Sequence, residues 1–280
     1  MKETVSRRDI NTYLLTGATA LTLASLGGLF YRVVSRSEER EMRILYTNSA
    51  ENPEPVSNQG AVTSELKTDS NGYAYQRFID SYDSHLSQEV NERVANILTN
   101  IGRAKWFNGA VSRVSKFKQF IDQYRGSIPY HLAVSWIVQE SGGNPKAKHP
   151  KTGAAGLTQL MEETAMLLGI KSRERFNPEI SIRGGLTYLR TFVEPWFPVP
   201  DGLNSNTTRN VRESILNSRN TIVLGLSTYN WGPGMLERNI LNRGLGDSSW
   251  ERLKKHLPEE TRNYVPEILS RKFILDDGKV

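Results

Sequence analysis

From Ser127 to about Phe273 the chain is divided by proline and glycine into short segments, and apolar residues within them recur three and four positions apart. Alternating patterns of the strand kind are few. That combination predicts short helices packed on one another, mainly α in class. Ser127 is expected to cap a helix with Pro129 in its first turn, and Gly142-Gly143 to end it. Asn177-Pro178-Glu179 opens another helix, Pro233 opens one that Gly244 closes, and Pro258-Glu259-Glu260 opens the last. Residues 197–220 read as an inserted loop or short helix. No internal repeat is visible.

Upstream, residues 73–126 carry a helical pattern of their own. Val90, Val94, Ile97, Leu98 and Ile101 form one stripe; Val111, Val114, Phe117, Phe120, Ile121 and Tyr124 form a second between Trp106 and Tyr124. Both stripes read as packing surface. Residues 46–72 are rich in Asn, Ser, Pro and Gly without either periodicity, which predicts a linker. Residues 1–45 differ again. The 22 residues from Ile10 to Tyr31 carry no charge and follow Arg7 and Arg8. At about 1.5 Å per residue they reach about 33 Å, enough for a hydrocarbon core of about 30 Å. A signal or membrane anchor is expected, with Arg32, Arg36, Arg40 and Arg43 behind it as a stop. Ser6-Arg7-Arg8-Asp9-Ile10 also has the look of a twin-arginine signal. The expected location is the cell envelope, either anchored at the periplasmic face of the inner membrane or exported.

The sequence contains no cysteine, which excludes disulfides, thiolate metal sites and lipid attachment through cysteine. A net charge of +6 and a pI near 9.4 favour an anionic partner. Nucleic acid is not expected, because no recognition motif accompanies the charge.

Chemistry concentrates near the end of the helix predicted to run from Pro129 to Ser141. Leu132, Trp136 and Glu140 share a face there at spacing four. Partial burial and the negative end of the helix dipole both disfavour a carboxylate at Glu140, as a general acid working near neutral pH requires. Taken by itself, a glutamate at a helix end is as well read as solvated. Glu140 is accompanied, however, by an ordered series of blocks. Glu140-Ser141-Gly142-Gly143-Asn144-Pro145 is followed by Gly153-Ala154-Ala155-Gly156-Leu157-Thr158-Gln159-Leu160-Met161. Phe176-Asn177-Pro178-Glu179, Tyr229-Asn230-Trp231-Gly232-Pro233-Gly234 and Pro258-Glu259-Glu260-Thr261-Arg262-Asn263-Tyr264-Val265 come after.

Five blocks in this order, over about Ser127 to Phe273, resemble the soluble lytic transglycosylase (SLT) domain, which shares the goose-type lysozyme fold. The resemblance implies a lysozyme-like (α+β) catalytic domain over 127–273. It also implies that Glu140 is the single catalytic acid and base, with Ser141 beside it. Gln159, Met161, Tyr229, Asn230 and Tyr264 are implied to line the cleft and bind substrate. The implied activity is peptidoglycan cleavage between N-acetylmuramic acid and N-acetylglucosamine with a 1,6-anhydro product, needing no metal or cofactor. Peptidoglycan strands are the implied partner.

This chain departs from the family pattern in three places. Thr158 stands where Met is common, His149 falls near a family Ser, and Trp231 replaces a small residue. His149 is more simply a solvated loop residue, and Trp231 either stacks on a sugar or fills core. No second carboxylate is evident opposite Glu140; Glu162 and Glu163 read as solvated. Two other readings stand beside the lyase: a hydrolase of the goose-type lysozyme kind, and a non-catalytic wall-binding component of an envelope assembly.

Overall fold

The computed structural model describes residues 84–278, and within them the chain is built almost wholly of helices. The first three are α1 (Ser84–Thr99), α2 (Ile101–Ser115) and α3 (Lys118–Tyr124). The central helix is α4 (Tyr130–Ser141). A looped segment then leads to α5 (Glu162–Leu167) and a 3-10 turn at Ser172–Phe176. After it come α6 (Pro178–Val193), α7 (Asn206–Leu216), α8 (Thr221–Trp231) and α9 (Pro233–Asn239). The short α10 (Trp250–Leu253) and the long α11 (Glu259–Asp276) complete the order. Among the described residues the β component expected of a lysozyme-like fold is reduced to two isolated bridges, Lys148 with Ala155 and Ala155 with Leu160.

Most of the start and stop signals act as read. Asn177 accepts a hydrogen bond from the Ile180 N–H, with Pro178 at the first helical position of α6. Gly142 takes the left-handed conformation at the end of α4 (φ 58°). The expected cap at Ser127 is corrected. Its N–H and hydroxyl both donate to the buried carboxylate of Glu194, at 2.6 and 2.8 Å, while Pro129 sits at the cap position of α4. The buried Glu194 carboxylate must be satisfied and engages Ser127, which lies two residues before the Pro129 that takes the cap position. The stripe reading is corrected at Ile101, which is 85% exposed. Asn100 ends one helix and caps the next, accepting from the Arg103 N–H at 3.0 Å, so the helical phase restarts there.

One core runs from Leu86 to Leu275. It includes Val90, Ile97, Phe107, Val114 and Ile121 of the N-terminal helices together with Trp136, Leu186, Leu226 and Ile268 of the later ones. Residues on both sides of position 126 therefore share a single interior. α11 lies against α1, α4 and α8, and α2 lies against α4. A smaller cluster of Leu160, Ala165 and Ile170 supports the looped segment. The apolar run at 10–31, the linker at 46–72 and the first residues of the helical region lie outside the described residues. Within the described residues no helix is long and apolar enough to cross a membrane.

Candidate active site

α4 is apolar over most of its surface, with Leu132 through Val138 all buried, and only its last residues emerge. Glu140 is one of these. It is half-buried, one turn beyond Trp136 on the same face. Tyr264 of α11 lies across from it, and its hydroxyl donates to Glu140 Oε1. Burial pushes the Glu140 carboxyl up to about 8, and the charge of Glu260 pushes the same way. The Tyr264 hydroxyl opposes both by stabilising the anion. The indole N–H of Trp136 adds a weaker pull in that direction, although its nitrogen has no partner at full hydrogen-bond geometry.

Tyr229 of α8 completes the cluster. Its ring meets Trp136 edge-on at 4.9 Å and Tyr188 at 5.4 Å. Burial, with the Glu140 charge as the next cause, holds its hydroxyl well above the usual tyrosine range. Tyr264 is held well above that range as well, again first by burial and then by Glu140. Both phenols therefore keep their protons where Glu140 titrates. The Tyr229 hydroxyl donates to the Thr158 carbonyl at 2.6 Å, which ties α8 to the looped segment.

That segment has an organiser without a mark in the sequence. Arg175 is 3% exposed, and its guanidinium donates to the carbonyls of Gly153 (3.0 Å), Leu160 (2.9 Å) and Ser172 (3.0 Å). It reaches Glu162 at 3.5 Å as well. Gly156 (φ 82°) passes so close to the 3-10 turn that a Cβ there would lie 1.8 Å from the Arg175 carbonyl oxygen. Thr158 is fully buried and donates to the Ser181 carbonyl at 2.8 Å. Its hydroxyl thus anchors the loop to α6.

Gln159 follows with φ 49°, the left-handed region where a residue other than glycine is strained. Its amide nitrogen donates to the carbonyls of Gly156 (2.8 Å) and Ala147 (3.2 Å), which leaves its side-chain oxygen to offer a ligand. Asn230 is fixed from both ends. Its nitrogen donates to Glu260 Oε1 at 3.2 Å, and its oxygen accepts from the Thr261 hydroxyl at 2.6 Å.

Glu140, Trp136, Tyr229 and Tyr264 thus meet; Asn230 of α8 is bonded to α11, and Gln159 is held within the looped segment that Tyr229 ties to α8. Ser141 and Met161 are placed differently. The Ser141 hydroxyl is engaged at the helix end, donating to the Ile137 carbonyl and accepting from the Gly143 N–H. Met161 is 37% exposed at the start of α5, and no bond links it to Glu140 among the described residues. His149 is exposed at a turn, where its ring accepts from the Lys151 and Thr152 N–H groups. Trp231 is half-buried against the core. Among the described residues no three acidic or histidine side chains converge as metal ligands would.

Sequence reading missed Glu260 as a neighbour of Glu140. The spacing of Glu260 and Tyr264, four residues apart on the last helix, was the signal that placed them on one face.

Residues 119–249 match the family described as the transglycosylase SLT domain. A membrane-bound lytic murein transglycosylase F of Aliivibrio fischeri is 34% identical over 150 residues, covering 52% of this chain and 26% of that protein. The protein of the same name from Shewanella woodyi is 28% identical over 207 residues, covering 73% of this chain and 38% of its own length. The chain therefore spans only about a quarter to two fifths of these relatives. Among solved structures, the 70 kDa soluble lytic transglycosylase SLT70 of Escherichia coli is 20% identical over 69% of this chain and 30% of that one, with a TM-score of 0.40. Over residues 119–249 the chain is therefore similar to the transglycosylase SLT domain.

Proposed function

We propose that this chain is a peptidoglycan lytic transglycosylase whose acid and base are one residue, Glu140. The observation that carries the reading is a half-buried carboxyl, inside the stretch similar to the SLT domain, held protonated to about pH 8. A general acid works best with a pKa near the operating pH, and one that must also act as base needs a value it can cross in both directions.

The cycle runs as follows. Protonated Glu140 donates to the glycosidic oxygen between N-acetylmuramic acid and N-acetylglucosamine, and the bond from that oxygen to C1 breaks. The muramyl N-acetyl group stabilises the positive charge at C1. Glu140, now anionic, removes the proton from the C6 hydroxyl of the same sugar. That oxygen bonds to C1, closing the 1,6-anhydro ring and returning the proton to Glu140.

Tyr264 steadies the anionic stage through its bond to Oε1. Gln159 offers its oxygen, Asn230 its remaining N–H, and Tyr229 holds the loop that carries Gln159. Met161 would lend apolar surface at the rim, and Ser141 supports the helix end. The catalytic region is taken as 127–273, with 73–126 bracing it. Residues 1–45 are proposed to place it in the cell envelope behind the 46–72 linker, in keeping with the names of the relatives, which are described as membrane-bound.

Glu260 favours one competing reading. A hydrolase needs a second carboxylate to activate water, and Glu260 is close enough for its charge to act on Glu140. Its bond to Asn230 and its exposed position suit an orienting role better. Mass spectrometry of fragments released from purified peptidoglycan decides. Fragments ending in 1,6-anhydro-muramic acid are expected. Fragments heavier by one water would make the chain a hydrolase, and binding without release would make it a wall-binding component.

A further inference from the structure

A buried N–H without a partner is uncommon in native proteins and costly, so each one calls for a reason. Trp136 supplies such a group beside the proposed acid. Its side chain is fully buried, and its indole nitrogen has no hydrogen-bond partner. The residue sits one helical turn before Glu140, and side chains on a helix lean toward its N-terminus, so the carboxyl leans back over the indole. Contact with the Tyr229 ring at 4.9 Å fixes the ring plane. The N–H lies near enough to the Glu140 carboxyl and the Tyr264 hydroxyl to favour the ionised form of each.

A protonated Glu140 would leave the indole in this position without an acceptor. Tyr264 donates to Oε1. A protonated carboxyl then carries its own proton on the other oxygen, which meets the indole as one donor meets another. No bond forms. Once the proton has left, that oxygen becomes an acceptor.

We propose that the Trp136 indole N–H is a switched donor to Glu140, idle while the carboxyl holds its proton and bonded to the carboxylate once the proton has been given away. Such a donor strengthens only the charged stage, which is the kind of interaction that lowers a barrier rather than merely binding. Trp136 is thus a positioning residue for Glu140. The titratable groups around the carboxyl are Tyr264 and Glu260 from α11 and Tyr229 from α8. Burial holds both tyrosines protonated through the neutral range.

This role rests on Glu140 as the acid and base, but its test does not need the reaction. In the full chain labelled with 15N-tryptophan, the indole resonance of Trp136 is identified by its absence in Trp136→Phe. If that variant does not fold, contacts to the Tyr229 ring identify it. Between pH 5 and 9 the proton resonance should move downfield in one step centred near 8. In Glu140→Gln it should stay still. A resonance that ignores pH, or that moves alike in both proteins, overturns the role.

Activity gives a second readout. Loss of a donor that favours only the anion raises the Glu140 pKa, so Trp136→Phe should move the alkaline fall in glycan release upward by about one pH unit. An equal loss at every pH would make Trp136 merely structural and also overturn the role. A resonance that titrates with Glu140 in a protein that releases no glycan would keep this role while refuting the lyase.

Discussion

Glu140→Gln should make the protein more stable, by an amount that grows with pH. The carboxyl has an ordinary value of 4.5 when unfolded and about 8 in the fold. Below 4.5 both states hold the proton, and glutamine resembles the protonated acid closely enough to keep the bond from Tyr264. Between the two values the unfolded chain has released the proton while the native chain retains it. The wild type therefore loses stability as pH rises through this window, and above 8 the loss is complete. Glutamine has nothing to titrate, so the variant is spared.

The two values lie 3.5 pH units apart, and at about 1.4 kcal/mol per unit the full effect would be about 5 kcal/mol. Glu140 is only half-buried, so solvent weakens the penalty. About 2–3 kcal/mol near pH 8 is the working figure, equivalent to roughly 5–10 °C in Tm for a domain of this size. Denaturant unfolding of both proteins from pH 4 to 9 measures it. A stability difference that stays flat, or that favours the wild type at high pH, would show the carboxylate to be content as an anion. The case for a neutral-pH acid would then fail.

Two further substitutions test the surroundings. Glu260→Gln removes a like charge from the neighbourhood of Glu140, so the alkaline fall of activity should move to lower pH while products keep their anhydro ends; loss of all turnover with glycan binding intact would assign Glu260 a direct part. Gly156→Ala puts a Cβ 1.8 Å from the Arg175 carbonyl oxygen at φ 82° and should cost at least about 3 kcal/mol, whereas Gly153→Ala, with φ 73° but nothing within 4 Å, should cost only about 1 kcal/mol by denaturant titration; equal costs would mean that the close approach at Gly156 is not what holds the loop.

What could be read from the sequence was local. The Asn177-Pro178 start, the Gly142 stop and the face shared by Trp136 and Glu140 all depend on neighbours within a turn or two. What could not be read depends on partners brought from afar. Tyr264 meets Glu140 across 124 residues of chain. Ser127 is engaged by Glu194, 67 residues on, because a buried carboxylate must be satisfied. Arg175 looks like any surface arginine until three carbonyls of the looped segment converge on it. The phase break at Asn100 stood in plain view as a capping residue, yet the apolar spacing through Ile101 hid it.

The proposed single-residue cycle asks two opposed things of Glu140. It must be protonated when the glycan arrives, and it must tolerate a negative charge for the moment before the C6 proton is taken. Burial alone would answer the first demand and defeat the second, since an isolated anion in protein surroundings is heavily penalised. The cluster divides the demands between environment and donors. Desolvation and Glu260 hold the proton on, while Tyr264 and the indole of Trp136 lower the penalty once it leaves. These groups come from α4 and α11 and are backed by Tyr229 of α8, three helices that share no sequence neighbourhood. The poise between acid and base is therefore a property of the packed fold, and loosening the contact of α11 with α4 should erode it before the domain itself unfolds.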